Sequence, residues 1–144
     1  MNIEDFYTVE ACNNAQRLPL YDPLGNKTEH WIEVLGVDSD SYQKAYLSFE
    51  RSLSSADYLL AVVKAKAMEL NDIDEITDQL REAVDRKDSL IRDKRYKLLT
   101  SLIVGWSFDQ PCTDEEKEAM LRNAPLIRNE IDQFAGNRKN FLKK

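Results

Sequence analysis

The spacing of apolar positions changes along the chain, and each change marks a new element. Between residues 3 and 15, Ile3, Phe6 and Tyr7 fall at helical spacing and predict a short helix with these side chains inward. From Arg17 the period shortens to two. Leu18 and Leu20 alternate with Arg17, Pro19 and Tyr21, and a second alternating run from Glu29 to Leu35 is rich in β-branched and aromatic residues. Asp22-Pro23-Leu24-Gly25-Asn26 between them is dense in turn formers, so residues 17–35 predict a β-hairpin. Pro19 has no N–H to give to a ladder, which places its strand at a sheet edge. A lone hairpin is marginal in water, so it has to pack on helices or pair with a further strand.

After Gly36, the residues Asp38-Ser39-Asp40-Ser41 offer side-chain oxygens that can accept from the free N–H groups of a helix start. An apolar stripe then runs through Tyr42, Tyr46, Phe49, Leu53, Ala56, Leu60, Val63, Ala67 and Leu70 in alternating steps of four and three. This predicts a long helix over residues 39–70 with a seam that needs a partner. Ser52, Ser54 and Ser55 are mediocre helix formers and mark a candidate bend. Asn71-Asp72 interrupts the stripe, with Asp72 and Glu75 spaced as a capping pair. A second stripe, Ile76, Leu80, Ala83, Val84, Leu90, Ile91, Leu98, Leu102 and Ile103, predicts a helix over residues 73–104. Two such helices joined by a short connection predict an antiparallel pair that buries one stripe on the other. Residues 105–112 then read as a loop carrying Trp106 and Phe108, which we take as plugs for the core. Thr113 to Glu116 has capping-box spacing and opens a helix over residues 114–122. Pro125 suits the first turn of a last helix over residues 125–141, with Ile127, Ile131, Phe134, Arg138 and Phe141 on one face. Gly136 in that helix predicts a kink or fraying beyond it. The fold class is therefore mainly α: a single helical domain over residues 1–144, a bundle built on the long antiparallel pair with one N-terminal β-hairpin.

Composition narrows the function. With 144 residues the chain has the size of one ordinary domain, and four glycines and four prolines are too few for a many-stranded architecture. A net charge of −6 opposes contact with phosphate backbones, so no nucleic-acid partner is expected. The N-terminal stretch is acidic and does not read as a signal peptide. The longest apolar run, around Leu98 to Trp106, is short and broken by Thr100, Ser101 and Gly105, so no membrane span is expected. Charge also comes in blocks. Residues 69–85 hold Glu69, Asp72, Asp74, Glu75, Asp78, Glu82 and Asp85 against Arg81. Residues 86–97 hold Arg86, Lys87, Arg92, Lys94, Arg95 and Lys97 against Asp88 and Asp93. Such blocks read either as a solvated helix-hairpin tip or as a polarised docking surface, self-association included.

Catalytic chemistry finds little support. The one histidine, His30, reads as a strand residue bonded locally or exposed. Cys12 and Cys112 lie far apart with no CxxC, which suits a reducing cytoplasm, and nothing near them in sequence lowers a thiol pKa. The pairs Asp38/Asp40 and Asp72/Asp74 lack the glycine and final glutamate of a calcium loop and fit helix caps instead. No Gly-rich phosphate loop occurs. We expect no enzyme activity, no catalytic residue, no cofactor and no metal.

A resemblance gives these elements a context. Leu18-Pro19-Leu20-Tyr21, the following Pro-Gly turn, Thr28 to Val34 and Gly36-Val37-Asp38-Ser39 resemble the N-terminal hairpin and helix entry of tail assembly chaperones of long-tailed, siphovirus-type bacteriophages. Val104 to Phe108, Asn123 to Arg128 and Asn137 to Leu142 resemble that family's C-terminal part. The ordered combination, spanning roughly residues 5–142, carries the resemblance; the turn departs from the expected Pro-Asp-Gly. The resemblance implies a host-cytoplasmic chaperone that coats the tape measure protein, helps recruit tail tube subunits and is absent from the finished virion. It also implies a longer second form made by ribosomal frameshifting, for which the terminal Lys143-Lys144 pair is a candidate site. Self-association is expected as well. Partner-binding candidates on the first long stripe are Tyr46, Phe49 and Leu53. The competing readings are an acidic helical adaptor or inhibitor of one folded partner, and a structural tail component.

Overall fold

The computed structural model describes residues 1–142; Lys143-Lys144, and with them the candidate slippage site, lie outside the described residues. The chain is mostly helical, with five α-helices and one small antiparallel sheet of three strands among the described residues. In order these are α1 (Val9–Asn13), β1 (Gln16–Tyr21), β2 (Lys27–Val34), α2 (Asp40–Ala67), α3 (Ile73–Thr100), β3 (Ile103–Trp106), α4 (Asp114–Asn123) and α5 (Pro125–Gly136), with 3₁₀ turns at Ile3–Phe6 and Arg138–Asn140. They divide into two compact units, one made of Met1–Tyr46 and the chain from Tyr96 onward, the other of Leu47–Arg95.

The first unit is built on the sheet, in strand order β1-β2-β3. The alternation read from the sequence places Leu18, Leu20, Ile32 and Val34 on the buried face, and β1 pairs with β2 through Leu18↔Ile32 and Pro19↔Trp31. Pro19 lies on an edge strand, as its missing N–H requires. The turn is held by Asp22, whose Oδ1 accepts from the N–H groups of Leu24 at 3.0 Å and Asn26 at 2.8 Å. Gly25 takes φ +87° there, the left-handed region that side chains disfavour. These hydrogen bonds, the Asn26 N–H foremost, hold the Asp22 carboxyl below the usual carboxylate range.

The sheet departs from a two-stranded hairpin. The expected helix over residues 73–104 ends at Thr100, and Ile103–Trp106 turns back as β3 against β2, with Ile32↔Trp106 and Glu33↔Gly105 in register. Local chemistry explains the stop. The hydroxyls of Thr100 and Ser101 donate to the carbonyls of Lys97 at 2.7 Å and Leu98 at 2.5 Å, competing with the helical pattern. The Leu35 N–H then donates to the Leu102 carbonyl at 2.8 Å, and the β-branched pair Ile103-Val104 suits the open edge of β2. Trp106 is accordingly a strand residue, not a loop residue.

Against the buried face of the sheet pack Leu99 and Leu102, Leu121 of α4, and Ile131 and Ala135 of α5. Thr113 caps α4 by accepting from the Glu116 N–H at 3.3 Å, and Pro125 opens α5. Two expectations about the ends are corrected. Residues 3–15 do not form one helix with Ile3, Phe6 and Tyr7 inward. They split into a 3₁₀ turn and α1, these three side chains are exposed, and Cys12 is the buried one. Nor does the last helix run to 141 or fray. It ends at Gly136, the Asn137 side chain accepts from the Lys139 N–H at 3.2 Å, and Phe141 is buried edge-on against Phe134 with ring centroids 5.6 Å apart.

Arg138, expected on one face of the last helix, lies beyond the end of α5 and is paired. Its Nε and Nη2 donate to the two carboxylate oxygens of Asp38 at 2.5 and 2.9 Å, and the Thr8 hydroxyl donates to the same carboxylate at 2.5 Å. Asp38 thus ties the N-terminal segment and the C-terminal turn to the entry of α2. The Arg138 guanidinium, then the Thr8 hydroxyl, hold the Asp38 carboxyl below its ordinary value. A depressed folded-state pKa stabilises the fold above the unfolded value, near 3.9, and that contribution is lost as pH falls through the folded value. Asp38→Asn should therefore be less stable than the parent at neutral pH, and the difference should shrink in acid melts below about pH 4. A gap between the two that stays constant down to pH 2 would show that the ion pair does not carry it.

Candidate partner-binding surface

The Leu47–Arg95 unit holds most of α2 and α3, each a helix of 28 residues and about 42 Å long at 1.5 Å per residue. The sequence stripes are half-buried: Phe49, Leu53, Leu60 and Val63 on α2, Leu70 just beyond its end, and Ile76, Leu80, Ala83 and Ile91 on α3. Only Ala56 and Ala67 are fully buried within this unit among the described residues. The stripe positions are thus covered only in part, with Lys87 of α3 paired to Asp57 of α2. Large apolar side chains consequently face water: Leu47, Tyr58, Leu59, Met68 and Ile73 are each more than half exposed, Ile73 at 78%.

Part of this surface is concave. Ala56, Leu59, Leu60, Val62 and Val63 of α2 and Ala83, Arg86, Lys87 and Leu90 of α3 line a cleft of about 290 Å³. Its cations are answered within the unit. Lys87 pairs with Asp57 and Arg86 with Glu82, so the rim is polar while the floor is aliphatic. The charge blocks bracket this place, the acidic one toward the α2–α3 connection and the basic one from Arg86 onward.

The three residues named from the sequence do not line the cleft. Phe49 and Leu53 lie half-buried on the α2 seam; Tyr46 belongs to the first unit, is exposed, and stacks on Tyr42 with centroids 6.2 Å apart. Leu90 lies on the second stripe, and a stripe at helical spacing reads as core, so its exposure was not expected from the sequence. Leu59 stands one position outside the stripe, and that was the available signal. Ser52 donates to the Ser48 carbonyl at 3.1 Å, and α2 runs unbroken past the three serines.

Comparison with known protein families, with curated proteins and with solved structures returns no match.

Reactive groups elsewhere have structural settings. Burial pushes the Cys12 and Cys112 thiols above their ordinary values, the opposite of an activated nucleophile. His30 is exposed, with Nδ1 3.0 Å from the Ser107 hydroxyl and its ring stacked on Phe108 at 4.9 Å. Trp106 and Phe108 pack partly buried against the core, and the Trp106 Nε1–H donates to the Gln110 carbonyl at 2.7 Å. Among the described residues no group of three or more histidine, cysteine or acidic side chains is placed to hold a metal ion. No helix of the described residues is long and apolar enough to cross a membrane.

Proposed function

We propose that this chain is a phage tail assembly chaperone, binding the tape measure protein and keeping it soluble in the host cytoplasm while tail tube subunits are recruited around it. In this reading it is no enzyme and does not remain in the finished virion. The observation that carries the reading is the open apolar surface of the Leu47–Arg95 unit, set among charged side chains on two long helices. A tape measure protein is a very long helix whose apolar stripes aggregate when bare. A second helix laid along them through positions three and four apart covers such stripes. The net charge of −6 adds repulsion between loaded complexes, which favours solubility. The finer architecture belongs to the same proposal: α2 and α3 act as a long antiparallel pair that presents the binding surface.

Co-expression with the long helical protein encoded beside this chain tests the proposal. That protein should move from the insoluble to the soluble fraction and co-purify with the chain. Replacing Tyr46, Phe49 and Leu53 with glutamine should abolish that capture with helix content unchanged. Loss of helix on replacement would make these three core residues, and capture by the variant would place the client elsewhere.

A further inference from the structure

The cleft on the Leu47–Arg95 unit lies where the charge of α3 inverts. Acidic residues dominate 69–85 and basic residues dominate 86–95, and the α3 residues that line the cleft, from Ala83 to Leu90, span that boundary. We propose that a second copy of this chain occupies the cleft. The two α2–α3 units lie antiparallel about a two-fold axis through it and form a four-helix layer.

The charge order selects both the occupant and its direction. An axis at the inversion sets the acidic block of each copy against the basic block of the other. Parallel stacking sets like against like over the same length, which opposes association. An isologous contact is also self-complementary in its apolar part, since Leu59 and Leu90 of one copy meet those of the other. The cations at this level are already paired, Lys87 with Asp57 and Arg86 with Glu82, so closing the cleft buries no unpaired charge. Burial points the same way. A two-helix layer that fully encloses only Ala56 and Ala67 is far from a self-sufficient core, and small units of this kind are completed by oligomerisation. Helices about 42 Å long offer room for the roughly 800 Å² per partner that a standard interface covers. None of this depends on the chaperone reading.

Sedimentation velocity on the full chain, alone, provides the test. A dimer is expected that weakens as salt is raised, because exposed charge blocks are screened. Leu59→Gln with Leu90→Gln should weaken it about tenfold or more, as expected for burying two leucines at a contact. Leu59 is 60% exposed, so its replacement removes little of the unit's own packing. Should the double variant nevertheless lose helix, single cysteines decide. Under oxidation Leu59→Cys should link two chains, while Ile73→Cys, near the α2–α3 connection, should not. A monomer at all concentrations overturns the proposal, as does linkage through Ile73→Cys without linkage through Leu59→Cys. A cleft that stays open in the isolated chain and is filled only by a client helix overturns it too.

Discussion

Ile131→Ala is expected to lower the unfolding free energy by about 2–5 kcal/mol, the range for truncating a fully buried aliphatic side chain. Ile131 is 0% exposed on α5, within the cluster that joins Leu18, Ile32 and Val34 of the sheet to Leu102, Ile103 and Leu121. Its removal costs both the transfer of the lost methyl groups and the void they leave, because the sheet on one side cannot move in to fill it. Leu126, on the same helix and about half exposed, serves as the internal control. Leu126→Ala should stay within about 0.5 kcal/mol, as surface changes do. Urea unfolding followed by circular dichroism reads both. Equal effects at the two positions would mean that α5 does not close the core.

The second large effect concerns Gly36. A Cβ at this position would stand 2.3 Å from Cys12 Sγ and 2.7 Å from Cys12 Cβ, well inside any real contact. The Gly36 N–H donates to the Cys12 carbonyl at 3.0 Å, so the two backbones are pinned together and cannot separate freely. Gly36→Ala should therefore cost about 1–3 kcal/mol, the usual range for overpacking. Cys12→Ala removes the sulfur but keeps the Cβ, so the double variant should recover part of that loss and not all of it. A double-mutant cycle in the same urea assay measures the coupling. Strict additivity would show that the clash is relieved elsewhere.

The strands were legible where one face is buried and the other wet. Leu18, Leu20, Ile32 and Val34 alternate cleanly, and the Pro19 edge and the Pro125 helix start followed from proline's missing N–H. The third strand was not legible. Leu98, Leu99, Leu102 and Ile103 are consecutive enough to continue a helical stripe, and whether Ile103–Trp106 coils or extends is decided by the open edge of β2, which lies about 70 residues earlier in the chain. The end of the chain failed for the same reason. Nothing local to Arg138 announces Asp38, a partner 100 residues away. The open apolar surface of the Leu47–Arg95 unit was half legible: helical spacing located the stripes of α2 and α3, but spacing alone cannot tell a partly covered stripe from one buried on all sides. Leu59 and Leu90 became visible as surface only in the folded chain.

If the Leu47–Arg95 unit holds a long apolar helical client, as we propose, hydrogen exchange on the complex reads this residue by residue. The chain is labelled alone and then bound to the co-expressed tape measure protein, and amide exchange is followed by mass spectrometry. Added protection on binding is expected in peptides of α2 and α3 within 47–95, with the sheet and α4–α5 unchanged. Unchanged exchange across 47–95, or protection confined to the edges of β1 and β3, would contradict it.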